Sequence, residues 1–206
     1  MKQDYLKFPL HLIVRPFDGF WDMKYEGKGK LKVALLILLA VILTTILQKQ
    51  FAGFLVNMVD PRSLNSLDDL EFTVLPFMLF CIANWSITTL MEGEGKFKEI
   101  VMAAGYALLP IALINLPMTF VSRFMTQEET AFYYLLNSIS SLWFVVLLFV
   151  GIMTVHQYTP AKTVLTMALT VIAMGFVVFI ATLAFSLGSQ IYWFIYDVYR
   201  ELIFRT

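Results

Sequence analysis

Five long runs in this chain are nearly bare of Asp, Glu, Lys, Arg and His, and they constrain everything else. They fall at about 31–51, 72–91, 100–121, 132–155 and 164–187. A run of roughly 18 or more such residues is long enough to cross the ~30 Å hydrocarbon core as a helix. The chain is 59% hydrophobic, against ~45–50% in a soluble domain, and the excess is gathered into those runs. The 206 residues then leave room for one bundle and no second soluble domain. The expected fold is all-α: an integral membrane helical bundle of about five transmembrane helices over 31–187. An interfacial N-terminal arm over 1–30 precedes it, and an amphipathic C-terminal helix over 188–206 follows.

The first run does not read as a signal peptide. It starts near residue 31, no small-residue cleavage site follows, and Gln48, Lys49 and Gln50 close it. Cys81 is the only cysteine, so no intrachain disulfide can form, and its place in the second span reads as a small buried apolar residue.

Basic residues give an expected orientation. The arm carries Lys2, Lys7, Arg15, Lys24, Lys28 and Lys30, with Lys32 at the membrane edge. Cytoplasmic flanks concentrate Lys and Arg. With the N-terminus inside, Lys96, Lys98 and Lys162 bring the inner total to ten, against Lys49, Arg62, Arg123, Arg200 and Arg205 outside. The expectation is a multi-pass protein of the cell membrane, N-terminus cytoplasmic and C-terminus outside.

In the arm, Arg15-Pro16 breaks any helix. Asp18 is a candidate N-cap for a second short helix through Trp21. The arm is expected to lie on the inner membrane surface, with Arg15, Phe17 and Trp21 as interfacial anchors and membrane lipid as a partner. Docking of a cytosolic protein is the alternative. Asp60-Pro61 marks a turn in the outer loop 52–71. Ser66 with Asp69 reads as a cap for a short helix entering the second span, and Pro76 falls near that span's first turn.

Polar groups at depth are few. Asn84 lies in the second span; Tyr106, Pro110, Asn115 and Pro117 lie in the third; Asn137, Ser138, Ser140 and Ser141 lie in the fourth. Each in-span proline frees a carbonyl that needs a donor inside the bundle. A packed kink glued by interhelical hydrogen bonds is the favoured reading. The rival is a hinge or pore-lining break in which Asn115 faces Asn84.

The last hydrophobic region has no ionisable residue over the 34 positions Thr163–Tyr196, about 50 Å as one helix. That is long for one span, so a break is expected at Ser186-Leu187-Gly188-Ser189. Beyond it an amphipathic surface helix is expected, anchored by Trp193 and Tyr196, with a simple extension of the fifth span as the alternative.

Chemistry is not in evidence. No His/Cys/Asp/Glu grouping has metal-ligand spacing, and the Gly93-Glu94-Gly95 turn lacks a phosphate loop's GxxxxGK[ST] pattern. No cofactor is expected, and a formal net charge of zero gives no field for nucleic acid. No span core holds an ionisable group, which lowers the reading as a self-contained transporter.

The inner loop is the distinctive stretch: Gly93, Gly95, Lys96 and Phe97, then Ile100 and Gly105-Tyr106-Ala107-Leu108-Leu109-Pro110. With Pro16 and Phe20 in the arm, Trp143, Leu147 and Gly151, and His156-Gln157-Tyr158-Thr159-Pro160-Ala161-Lys162, this resembles the Yip1 family over about 14–187. The resemblance implies five spans with the N-terminus inside. Eukaryotic relatives are associated with Rab GTPases and vesicle traffic, and they have a long cytosolic N-terminal domain. The short arm here is similar to the bacterial branch instead, which implies a role beside transport systems.

The functional expectation is a non-enzymatic accessory or organising partner of other integral membrane proteins, including a transporter complex. Gly93, Glu94, Gly95, Lys96 and Phe97 form the candidate interaction loop. A homo-oligomer is compatible with the same features. The alternative is a channel or transporter component lined by the Pro110/Asn115/Pro117 break.

Overall fold

Pro16 divides the arm into two helices. The structure is a computed structural model describing residues 4–60 and 64–204, so Lys2, Pro61, Arg62 and Arg205 lie outside the described residues. Helix α1 spans Asp4–Val14 and α2 spans Pro16–Tyr25. Between them Arg15 sits at φ −129°, ψ 76°, pushed out of the helical region by the proline that follows. Pro16 opens α2, where its missing N–H costs nothing. Arg15 takes the N-cap position expected of Asp18, which instead lies in the first turn, near the helix's positive end.

The arm packs into the body of the protein. Phe8, Leu12, Phe20 and Met23 are buried in the main core. Gly19 lets the two helices close on each other: a Cβ there would stand 2.7 Å from Leu12 Cα. Leu10, Val14, Phe17 and Trp21 remain exposed. The arm is thus a helical hairpin with one apolar face in the protein and the other outward.

The spans follow as α3 (Leu31–Phe51), α4 (Ser66–Leu90), α5 (Phe97–Ala107) with α6 (Leu109–Val121), α7 (Thr130–His156) and α8 (Pro160–Phe204). Five stretches are long and apolar enough to cross a membrane, with α5 and α6 acting as one. Among the described residues there is no strand. The protein is a multi-pass membrane protein with an all-α bundle.

Three local expectations change. Helix α4 begins at Ser66, with Asn65 as its cap accepting the N–H of Leu67 at 3.0 Å. Pro76 therefore lies well inside α4, not in its first turn. The extra turns form because Asp69, though acidic, is buried against Lys49 of α3 in an ion pair. In the third span the ladder breaks at Leu108, which leaves Pro110 at the second position of α6. There its missing N–H falls among the unpaired donors of a new helix.

The third change is larger: α8 has no break at Ser186–Ser189. It runs as one helix of 45 residues, about 67 Å long at ~1.5 Å per residue. A mid-helix glycine such as Gly188 costs only about 1 kcal/mol, and Ser189 Oγ donates back to the Ser186 carbonyl at 2.8 Å. No proline interrupts the ladder, so the boundary expected at 187/188 falls inside a continuous helix.

Helix α5 is the centre of the core. Ile100 through Ala107 are all buried, between α3, α4 and α7. Small residues permit the approach: a Cβ on Gly105 would lie 2.8 Å from Ala34 Cβ, and one on Gly151 2.9 Å from Phe20. Such close backbone approach allows the van der Waals packing that helps drive helix association in lipid. Helix α8 packs chiefly on α4.

Candidate functional site

The connections α4–α5 and α7–α8 meet beneath the arm, at the end of the bundle that holds α2. Both α4 and α7 stop on a non-glycine residue in the left-handed region, Glu92 (φ 58°) and Gln157 (φ 55°). Each stop is then closed from the next residue. Gly93 N–H donates to the Thr88 carbonyl at 2.7 Å, and Tyr158 N–H donates to the Met153 carbonyl at 3.0 Å. These are six-to-one Schellman closures. They aim the two loops at each other.

His156 occupies the gap. It is 2% exposed, and its Nδ1 accepts the backbone N–H of Gly95 at 3.2 Å. Its ring stacks on Tyr158, with centroids 5.3 Å apart and planes 23° from parallel. The Tyr158 hydroxyl donates to the Met91 carbonyl at 3.1 Å. Burial, helped by the Glu92 carboxylate, raises the phenol above its ordinary pKa, so it stays a donor throughout the physiological range. Lys162 sits 4.4 Å from the centre of the same ring, a cation–π contact.

This geometry explains the Gly-x-Gly spacing. A Cβ on Gly93 would overlap His156 Nδ1 and press to 2.7 Å from the Tyr158 hydroxyl. One on Gly95 would lie 2.5 Å from Val155 Cγ1 and 2.7 Å from His156 Cε1. The glycines are there because an imidazole and a phenol fill the space a side chain would take.

The arm closes the site from α2. Lys24 Nζ donates to the Val155 carbonyl at 2.8 Å and pairs with Glu94 at 3.3 Å. Tyr25 meets the side-chain amide of Gln157. Tyr106 clasps the α2–α3 linker, its hydroxyl accepting the Lys30 N–H at 3.1 Å, while Phe8 lies edge-on to its ring at 5.6 Å. The arm, both loops and α5 are thus held as one unit by named contacts.

The candidate interaction loop divides accordingly. Gly93 and Gly95 face inward. Glu94 and Lys96 are exposed, and Glu99 accepts the Lys96 N–H at 3.0 Å to cap α5. Phe97 stands at the rim, edge-on to Trp85 at 5.9 Å. Sequence reasoning did not join His156 and Lys24 to this loop. The usable signal was an ionisable residue at a span's end on the same membrane side as the glycines.

The intramembrane polar residues separate. Asn84 Nδ2 donates to Thr170 Oγ1 of α8 at 3.2 Å, while Asn115 Oδ1 accepts from Ser140 of α7 at 2.8 Å. They have different partners on different helices, and Pro117 lies on the exposed side of α6. Gln48 ties α3 to α7 through Tyr133 and Asn137, at 2.5 and 3.2 Å. The anchor candidates Arg15, Phe17, Trp21, Trp193 and Tyr196 are all exposed. Among the described residues, no three His, Cys, Asp or Glu side chains could hold a metal.

No curated protein and no solved structure matches the chain. The family model of the Yip1 domain matches residues 10–182. That stretch takes in the arm from Leu10, the two glycines with the His156–Tyr158 pair they enclose, and every span as far as the middle of α8. With that coverage, the chain belongs to the Yip1 domain family.

Proposed function

We propose that this protein is a non-enzymatic accessory or organising partner of other integral membrane proteins in the cell membrane, with a transport system as the partner class. In this reading its N-terminus is cytoplasmic, in keeping with the Lys and Arg excess on the arm side.

One observation carries the proposal. From Gly175 to Phe204 every residue of α8 except Ser189 is exposed, a stretch of about 45 Å at ~1.5 Å per residue. It presents Phe176, Phe179, Ile180, Leu183 and Phe185 along a helix longer than one bilayer crossing needs. A helix so poorly covered by its own chain suits contact with other membrane proteins. Asn84 and Asn115, by contrast, each hydrogen-bond a different neighbouring helix, which favours a packed scaffold over a permeation path.

The test is in-membrane photocrosslinking from Phe179 and Leu183, followed by gentle extraction and mass spectrometry. A stoichiometric integral membrane partner is expected, and its identity would name the system served. Crosslinks to lipid or to a second copy alone would overturn the accessory reading.

A further inference from the structure

Helices α3, α4, α6, α7 and α8 do not close completely. They leave a cavity of about 500 Å³ walled by side chains such as Phe77, Phe80, Phe144 and Met167. A second hollow of about 440 Å³ adjoins it, sharing Phe72, Pro76 and Met174, and ends at Asp68 and Glu71 in the first turns of α4. Together they make an apolar groove, open on its lipid-facing side, that runs to an acidic mouth at the end of the bundle remote from the arm.

The polar groups on this path are all acceptors. Thr45 and Thr73 line the cavity, but each spends its hydroxyl proton on its own helix, on the Val41 carbonyl at 3.1 Å and the Asp69 carbonyl at 2.9 Å. Only their lone pairs face the groove. Pro76 has no N–H to give the carbonyl of Phe72, one turn back, so that oxygen lacks its helical donor. At the mouth, Asp68 is accounted for: it takes the side-chain amide of Asn65 at 2.8 Å and suits the positive end of α4. Glu71 is not accounted for. Its neighbours Phe72 and Leu75 are exposed apolar residues, and the nearby Lys49 is committed to Asp69. Among the described residues no cation pairs with Glu71. A carboxylate bordering lipid is costly without one.

We infer that this groove binds a membrane lipid whose headgroup ends in a primary ammonium, of the phosphatidylethanolamine class, with an acyl chain between α4 and α8 and the ammonium at Glu71 and Asp68. The apolar walls select a hydrocarbon chain. The acceptor-only polar lining selects a head that donates hydrogen bonds and carries positive charge. Phosphatidylcholine offers the charge without N–H donors, and phosphatidylglycerol carries no positive charge, so the three headgroups separate the contributions.

The experiment uses the full chain in nanodiscs of equal parts dioleoyl phosphatidylethanolamine, phosphatidylcholine and phosphatidylglycerol. Retained lipid is counted by native mass spectrometry after release. Phosphatidylethanolamine is expected to be retained roughly threefold over phosphatidylglycerol, a ratio within the range of a part-exposed ion pair, with phosphatidylcholine between. In Glu71→Gln with Asp68→Asn, both on the surface, the preference should fall to unity while lipid is still retained. Val171→Trp, which plugs the cavity from α8, should lower retention of all three. Equal retention of phosphatidylethanolamine and phosphatidylcholine would overturn the inference. So would a preference for phosphatidylglycerol, or one indifferent to Glu71 and Asp68. Matching thermal unfolding midpoints confirm that the variants are folded.

Discussion

The backbone N–H of Gly95 donates to His156 Nδ1 at 3.2 Å across 61 positions of sequence. The bond requires the imidazole to be neutral, with its proton on Nε2, and requires position 95 to carry no side chain. Gly95→Ala forces a methyl against Val155 and the imidazole. Such overpacking costs about 1–3 kcal/mol, read as a lower unfolding midpoint in detergent. Gly188→Ala is the control: nothing lies within 4 Å of a Cβ there, so that variant should match or exceed the wild type. Equal midpoints for Gly95→Ala and the wild type would show that the loops are not packed as described.

Lys24 is the strut that fastens the arm. Its side chain is only 9% exposed and reaches the Val155 carbonyl, a hydrogen bond from a charged group and worth about 1.5–3 kcal/mol. Lys24→Met should therefore speed hydrogen exchange in α1 and α2 about tenfold, since 1.4 kcal/mol is one decade in an opening constant. Lys28→Met should leave exchange in α1 unchanged, because Lys28 bonds Asp22 and Glu26 close by. If Lys24→Met leaves arm exchange untouched, burial of Phe8, Leu12, Phe20 and Met23 alone holds the hairpin.

These contacts mark what could be read from the sequence. The five spans and the Arg15-Pro16 break were legible because hydrophobic run length and a proline act locally. The burial of Phe20 and Met23 was not, since an amphipathic helix looks the same whether its apolar face meets lipid or protein. The continuity of α4 from Ser66 into the span is not legible, because Asp68, Asp69 and Glu71 end the apolar run, while the Lys49 partner that buries Asp69 lies 20 positions earlier. The break expected at Ser186–Ser189 follows from bilayer thickness, yet the helix ladder responds to local propensity and does not end where the hydrocarbon ends. The site itself needed rotation about each helix axis. Spacing placed His156 and the glycines on one side of the membrane, but only packing turns the ring toward Gly95.

Rotation also decides the fate of the two asparagines. Asn84 is fully buried against α8 and Asn115 is 8% exposed against α7. Cysteines placed at either position should resist a membrane-impermeant maleimide from both sides, in a background where native Cys81 is itself buried. Glu94→Cys, on the exposed rim, should label fully. Rapid labelling at 84 or 115 would revive a water-filled path and count against the scaffold reading.

At the far end of the bundle, Lys49 and Asp69 tie α3 to α4. The two side chains are unequally placed, 41% and 5% exposed, so removal of either has a different consequence. Lys49→Met strands a buried carboxylate, which costs about 2 kcal/mol, below the range for a fully buried pair because water still reaches the lysine side. Asp69→Leu leaves an ammonium that can turn to solvent and costs less. Replacing both removes the charge and keeps the packing, so the double variant should recover most of the Lys49→Met loss. A double-mutant cycle on unfolding midpoints measures this directly. Strictly additive losses would mean that the pair is not coupled and that the early turns of α4 are held by packing alone.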